Sequence, residues 1–455
     1  MAGGTFDRAV GKDRPGTYIN FKGSKAHTIR RSERGTVLLP LAEHDYGPAG
    51  EFITLEDSAP DAQTAKLGYS VSANHPSMLL VREAFKNARR VVAYIPSQGA
   101  KATATAGSLT ATARYGGKRG NDLRFSSTEN PLGGYDVTVF LGSEIKALYE
   151  QLTTVPELAA QDDDWLVFSG TGDLVAVAGV NLTGGTSGTL TAADVTAFLD
   201  KSEAVRWNAM AFPFEPTGDP GDPIPGLQEA VAAKIRYLRE DAGRYRKAVM
   251  ANYATDYERI VNVTNSVVLR DGTALTTAQA TAWVAGVDAG ATKVQSNTYV
   301  PYEGAVGIVG AKTHDEAVQA IRNGEFFFTL SETEDSGQEI IVEYDINSLV
   351  TFEPPKAESW RKNRVLRVMD EFAETLMLDF PPNRFDNDPT GWDIMEGLGR
   401  EALLRFYEDG AIKNVDFDAD FLVDRAISTG DEVYFDVGLQ PVDSAEKLFF
   451  TVRTR

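Results

Sequence analysis

Residues 77–113 read SMLLVREAFKNARRVVAYIPSQGAKATATAGSLTATA, and the fold class turns on the change of pattern inside them. From Ser77 to Arg90, Met78, Val81, Phe85 and Ala88 recur at helical spacing, which gives a helix one face to set against a core. Val91-Val92-Ala93-Tyr94-Ile95-Pro96 follows, a short apolar run stopped by proline that predicts a buried strand. Helix passing straight into buried strand is the alternation of an α/β layer fold. After Ser97 the pattern shortens to alternating runs rich in Ala, Thr and Gly, which predict the strands of a separate all-β unit.

Working outward, Gly35–Leu41 reads as another buried strand. On the far side, the runs Ala102–Ala113, Tyr135–Leu141, Asp164–Phe168 and Leu174–Asn181 are separated by turn clusters at 115–122 and 184–188. Short strands with regular turns predict a β-sandwich or barrel, with one helical interruption expected at Ser143–Leu152. Helix and strand alternation resumes at Thr191, a helix cap. Strands are expected at Asn208–Phe214, Lys247–Asn252, Ile260–Leu269, Phe326–Leu330 and Glu339–Tyr344. Helices are expected at Leu227–Asp241, Thr277–Ala289 and Asp315–Arg322. The last segment should hold helices at Trp360–Leu378 and Ile394–Asp409, then strands at Glu432–Val442 and Lys447–Arg453.

The expectation is therefore an α/β (α+β) multidomain chain. A discontinuous α/β core spans 25–98 and 190–345, interrupted by a β-sandwich at 99–189. A C-terminal α/β domain occupies 346–455, and an arm occupies 1–24. In the arm, Thr17, Ile19 and Phe21 alternate with Tyr18 and Asn20, the period of a strand. A lone strand needs a sheet to join, elsewhere in the chain or on another chain.

Composition narrows the function. The 455 residues carry 65 acidic and 45 basic side chains, a formal net charge of −20, which argues against binding phosphate backbones. The basic run Lys86-Asn87-Ala88-Arg89-Arg90 reads as a solvated helix face. The chain has no cysteine, so disulfides, thiolate metal sites and a cysteine nucleophile are excluded. The first residues lack the apolar core of a signal peptide, and no run approaches the ~18 apolar residues that span a bilayer. A soluble protein, cytoplasmic when made, is expected.

No catalytic constellation emerges. There is no Gly-x-x-x-x-Gly-Lys-Ser/Thr loop, no His-Glu-x-x-His and no Gly-x-Ser-x-Gly elbow. Gly170-Thr171-Gly172 sits inside the β-rich insert and reads as a turn. His27, His44, His75 and His314 stand apart without carboxylates at metal-ligand spacing. Asp386-Asn387-Asp388-Pro389-Thr390-Gly391 begins like a calcium loop, but the twelfth position is Gly397 rather than Glu, and a helix-connecting turn is the better reading. Neither a cofactor nor a metal site is expected.

Both termini carry a resemblance. Met1-Ala2-Gly3-Gly4-Thr5-Phe6 with Arg14-Pro15-Gly16-Thr17-Tyr18-Ile19-Asn20-Phe21, and the end Leu439-Gln440-Pro441-Val442-Asp443-Ser444-Ala445-Glu446-Lys447-Leu448-Phe449-Phe450-Thr451-Val452, resemble contractile tail sheath proteins of myophages and phage-like elements. Asn363–Asp370 looks like that family's C-terminal-domain helix, and the order of parts matches throughout. The resemblance implies a structural subunit that polymerises with copies of itself as six-fold stacked rings around an inner tail tube protein, bounded by baseplate and tail terminator proteins. It implies assembly in the host cytoplasm, then residence in a tail. It also implies exchange of terminal strands between subunits, through Thr17, Tyr18, Ile19, Asn20 and Phe21 at one end and Leu448, Phe449, Phe450, Thr451 and Val452 at the other. The rival readings are a hydrolase-like or glycan-processing enzyme with a β-sandwich module, and another virion component such as a tube or capsid protein.

Overall fold

In the computed structural model the described residues are 35–453 apart from 43, 98 and 334–336, with two short strands before them, β1 (Ala2–Gly4) and β2 (Gly16–Tyr18). Those two strands pair with each other in parallel. The core begins with β3 (Thr36–Pro40), β4 (Phe52–Glu56), the short α1 (Thr64–Leu67), α2 (Leu79–Phe85) and β5 (Arg90–Tyr94). The insert follows as β6 (Thr103–Ala106), β7 (Leu109–Ala113), β8 (Leu123–Glu129), β9 (Tyr135–Leu141), β10 (Glu144–Leu152), α3 (Val155–Ala159), β11 (Leu166–Gly170) and β12 (Val177–Asn181).

The core then continues as α4 (Ala192–Ser202), β13 (Ala209–Phe212), α5 (Ile224–Glu240), β14 (Lys247–Ala251), β15 (Ile260–Val263), β16 (Ser266–Leu269), α6 (Thr277–Gly290), β17 (Ala305–Val309), α7 (His314–Arg322), β18 (Glu325–Phe326), β19 (Phe328–Thr333) and β20 (Gly337–Val342). The chain closes with α8 (Asn363–Asp379), α9 (Pro389–Glu408), β21 (Phe421–Val423) and β22 (Phe435–Val437).

Seven strands make the central sheet, in the order β18-β15-β14-β13-β3-β5-β4, parallel except for β4. Val37, Leu39, Val91 and Ala93 point to one face and pack with α2 and α6. Leu38, Val92, Tyr94, Met210 and Phe212 point to the other, against Phe198 of α4 and Val231 and Ile235 of α5. A strand covered on both faces is apolar at every position, which is why residues 37–39 and 91–95 read as continuous runs. Helix α6 is buried on nearly all sides. Its Gly286 lets the Ala84 carbonyl of α2 come so close that a Cβ would stand 2.5 Å from the oxygen.

The insert is a β-sandwich. The sheets β10-β9-β8-β12 and β11-β7-β6 enclose Leu109, Ala111, Phe125, Val137, Val139, Leu166 and Phe168. Tyr46 from the core lies in this cluster with its ring stacked on Trp165 at 5.9 Å, and Arg119 of the insert covers the Tyr69 ring at 4.3 Å. The chain is a mixed α/β multidomain protein with a β-sandwich.

Four expectations need correction. Residues 144–152 form strand β10 paired antiparallel with β9, not a helix. The two-residue turn Gly142-Ser143 returns the chain, and Ile145 and Leu148 of the strand are exposed. Ile260–Leu269 is two strands in two sheets. Asn265 sits between them, its side chain bonded to both the N–H (2.8 Å) and the carbonyl (2.8 Å) of Phe328, which turns the chain out of the central sheet. Glu432–Val442 shortens to β22, and residues 447–453 carry no strand pairing in the single chain.

Candidate assembly surfaces

The crevice where an open α/β sheet ordinarily takes a ligand lies beyond the strand ends where the order reverses, here between β3 and β13. Leu41, His44, Pro213, Phe214, Thr276 and Gln279 line it. The start of α6 faces this region, yet two of its first N–H groups are already used. Thr276 Oγ1 accepts from Gln279 N (3.1 Å) and Glu215 Oε2 accepts from Ala278 N (3.0 Å). The carboxylate of the chain itself thus occupies the position an anion would take. His44 Nε2 donates to Leu67 O (2.7 Å) and burial draws its pKa down, as for a packed imidazole.

The 386–391 segment is a helix-connecting turn. Asp388 caps α9 by accepting from Gly391 N (2.7 Å), while Asn387 donates to the carbonyls of Gly430 and Glu432 and accepts from the Trp392 indole.

The C-terminal domain shows a different chemistry. Helix α8 has an apolar side, with Val368 and Phe372 packed against Ala402, Leu403 and Phe406 of α9. Its other side is charged and pressed onto the core. Arg367 is fully buried; it donates to Asp288 (2.6 Å), Asp345 (2.9 Å) and the Gln295 carbonyl (2.7 Å). Lys247 reaches Asp288 (3.0 Å) and Asn363 (3.2 Å). Asp370 accepts from Arg259 (2.5 Å) and Arg239 (3.0 Å), and Glu371 from Lys293 (2.9 Å). Burial pulls the Lys247 and Arg259 pKa values down, with Asp288 and Asp370 opposing it. The charges of Asp345 and Asp288 overcome burial at Arg367 and raise it.

Beyond α9, β21 pairs antiparallel with β22 in a two-stranded sheet. The outer N–H of Val423 on β21 is taken by Glu396 (3.0 Å). The outer edge of β22 meets no strand among the described residues. The chain then crosses back, bonded from Val442 N to Ala411 O (2.8 Å). Leu448, Phe449, Phe450 and Val452 are 67%, 91%, 84% and 83% exposed, and Thr451 is exposed between them. At the other terminus, Thr17 and Tyr18 lie in β2, opposite Gly3 and Gly4 of β1. Ile19, Asn20 and Phe21 fall outside the described residues.

Sequence reading had not marked α8's charged stripe, β21, or the residues that hold the tail's base. Asn363, Arg367, Asp370 and Glu374 do fall at helical spacing, but such a stripe reads as a solvated face.

Comparisons with known proteins agree along the whole length. Residues 34–94 match the tail sheath protein Gp18 domain III N-terminal region and 97–189 the phage tail sheath protein beta-sandwich domain. Residues 188–348 match the phage tail sheath protein central domain and 355–455 the phage tail sheath C-terminal domain. The phage-like element PBSX protein XkdK of Bacillus subtilis is 36% identical over 99% of both chains. The crystal structure of a sheath tail protein from Desulfitobacterium hafniense superposes with a TM-score of 0.82 at 36% identity, over 97% of this chain and 100% of that one. The contracted helical sheath of the anti-feeding prophage shares the fold, with a TM-score of 0.55 at 13% identity over 98% of this chain and 100% of that one. The chain belongs to the phage tail sheath family of contractile injection systems, a family of structural sheath proteins.

Proposed function

We propose that this chain polymerises helically around an inner tube by lending its terminal strands to neighbouring copies, and that the resulting sheath contracts to drive the tube through a target envelope. The observation that carries the reading is the tail. Leu448, Phe449, Phe450 and Val452 expose their side chains to water at the end of a subunit whose β22 meets no strand at its outer edge among the described residues. An extended peptide added to a sheet edge gains main-chain hydrogen bonds, and its alternate side chains enter pockets. In this reading β22 of another copy accepts Leu448–Val452, and the arm strand at Thr17–Phe21 of a further copy completes the sheet.

Each cross-strand pair contributes only about 0.2–1 kcal/mol, but a lattice repeats the link at every subunit. Such a mesh survives large rigid-body shifts, and contraction becomes a switch between two packings with the extended one metastable. The anti-feeding prophage sheath has been seen contracted, and its shared fold supports that switch here. The division into an arm (1–24), a core (25–98 and 190–345), an insert (99–189) and a C-terminal domain (346–455) belongs to the same proposal. So do a tube protein inside, baseplate and terminator proteins at the ends, and assembly in the host cytoplasm.

Negative-stain electron microscopy of the concentrated protein tests it. Hollow striated cylinders are expected from the full chain and none from a chain lacking residues 1–22, which should stay folded. Cylinders of normal length from that truncation would remove strand exchange from the account.

A further inference from the structure

The tail is free only from Leu448 onward, and what stops it there is specific. Glu446 is nearly buried, with 9% of its side chain exposed. Its Oε1 accepts from Ser296 Oγ and Thr298 Oγ1, both at 2.7 Å. Its Oε2 meets Lys362 Nζ, a lysine that also lies 3.9 Å from Asp443 and 4.1 Å from the Tyr344 ring. Ser444 Oγ accepts from Arg364 (2.5 Å), and Lys447 covers the other reach of the Tyr344 ring at 5.7 Å. Thr298 Oγ1 in turn accepts from Asp345 N (3.0 Å), and Asp345 is the partner of buried Arg367. The clasp is thus continuous with the ion-pair network that seats α8 on the core.

We propose that Glu446 is the anchor of the exchanged strand, a positioning residue that holds 443–447 on the subunit's own core. Only the chain from Leu448 on then passes to a neighbour; the inference rests on the strand-exchange reading above. Two consequences follow from the geometry. The handed-over strand Leu448–Val452 spans about 17 Å at 3.3–3.4 Å per residue, so the anchor sets how far a neighbour can sit. Tension on that strand falls on a charge-assisted, desolvated contact rather than on a flexible linker.

Full-length protein with Glu446→Gln, Glu446→Lys, Lys362→Glu, or the last two together provides the test, beside a chain ending at Lys447. Tryptic cleavage at 446–447, with each variant scaled to the rate of its own free peptide because Glu446→Lys adds a tryptic bond, reports opening of the clasp, and hydrogen bonds to a charged group are strong enough that Glu446→Lys should speed it about 10- to 100-fold. The same variant should lose regular cylinders, and the charge-swapped double variant should regain both slow cleavage and cylinders. Glu446→Gln, nearly the same shape, should fall between.

Cleavage at the parent rate in Glu446→Lys, or cylinders like the parent's while the chain ending at Lys447 forms none, overturns the anchor alone. Normal cylinders from the chain ending at Lys447 overturn strand exchange, and the anchor falls with it.

Discussion

Helix α8 and the last residues of the chain invert the usual order of side chains. The helix buries its charges, with Arg367 and Asp370 almost inaccessible, while the tail leaves two phenylalanines, a leucine and a valine in water. The helix's buried charges pair with residues inside the subunit. Among the described residues, the tail shows no side-chain partner beyond Lys447. Buried ion pairs stabilise weakly when intact and are expensive to break, so α8 reports on the integrity of one subunit. An exposed apolar strand contributes nothing to that subunit and must draw its free energy from another copy.

The largest effect expected from breaking this contrast lies on the sealed side. Arg367→Ala removes the ion-pair partner of Asp345 in a dry interface and leaves Asp288 to Lys247, and losing one member of a buried ion pair costs about 3–5 kcal/mol. The first urea transition should move down accordingly. A shift under ~0.5 kcal/mol would mean that water reaches this network and that α8 is not sealed.

Next comes Gly286→Ala in α6. The new methyl meets the Ala84 carbonyl, and overpacking of that kind costs about 1–3 kcal/mol. The same denaturation experiment reads it. Because Gly286 lies far from both termini in sequence, cylinders should still form below the lowered transition.

The tail should behave in the opposite way. Phe449→Ser with Phe450→Ser removes apolar surface that is already exposed, so subunit stability should stay within about 0.5 kcal/mol. Assembly should nevertheless be lost, as sedimentation or microscopy would show. A stability loss as large as that of Gly286→Ala would place the tail against its own subunit.

These contrasts also mark what a sequence can convey. Residues 37–39 and 91–95 were legible as strands because burial on both faces leaves an unbroken apolar run. In the tail Leu448, Phe450 and Val452 alternate as in a strand, but alternation alone does not say whose sheet they enter, and within the described single chain they enter none. The 260–269 run was not legible as two strands. It is apolar on both sides of Asn265, and the contact that bends it comes from Phe328, 63 residues away. At 144–152, where a helix was expected, a two-residue turn and pairing with β9 make a strand. Glu446 was invisible for the same reason as Asn265, since Ser296 and Lys362 stand 150 and 84 residues from it.

The smallest expected effect comes from pH, and it too separates the regions. The Tyr302 phenol is held well above its ordinary value by burial and then by Glu83, to which it donates at 2.6 Å; burial also moves Tyr257 up to about 12. The folded chain keeps these protons where the unfolded chain begins to release them, near pH 10. Their contribution is therefore fully present below pH ~10 and is lost as the pH rises toward the folded values, at up to about 1.4 kcal/mol per pH unit for each phenol. Urea midpoints measured from pH 8 to 11 should fall above 10, and Tyr302→Phe should flatten the fall. Leu448–Val452 contains no group that titrates, so between pH 8 and 10, where the subunit is intact, the tail's own contribution to assembly should not change. Polymerisation that varied steeply across that window while subunit stability held constant would assign the inter-subunit contact to charged residues instead of this strand.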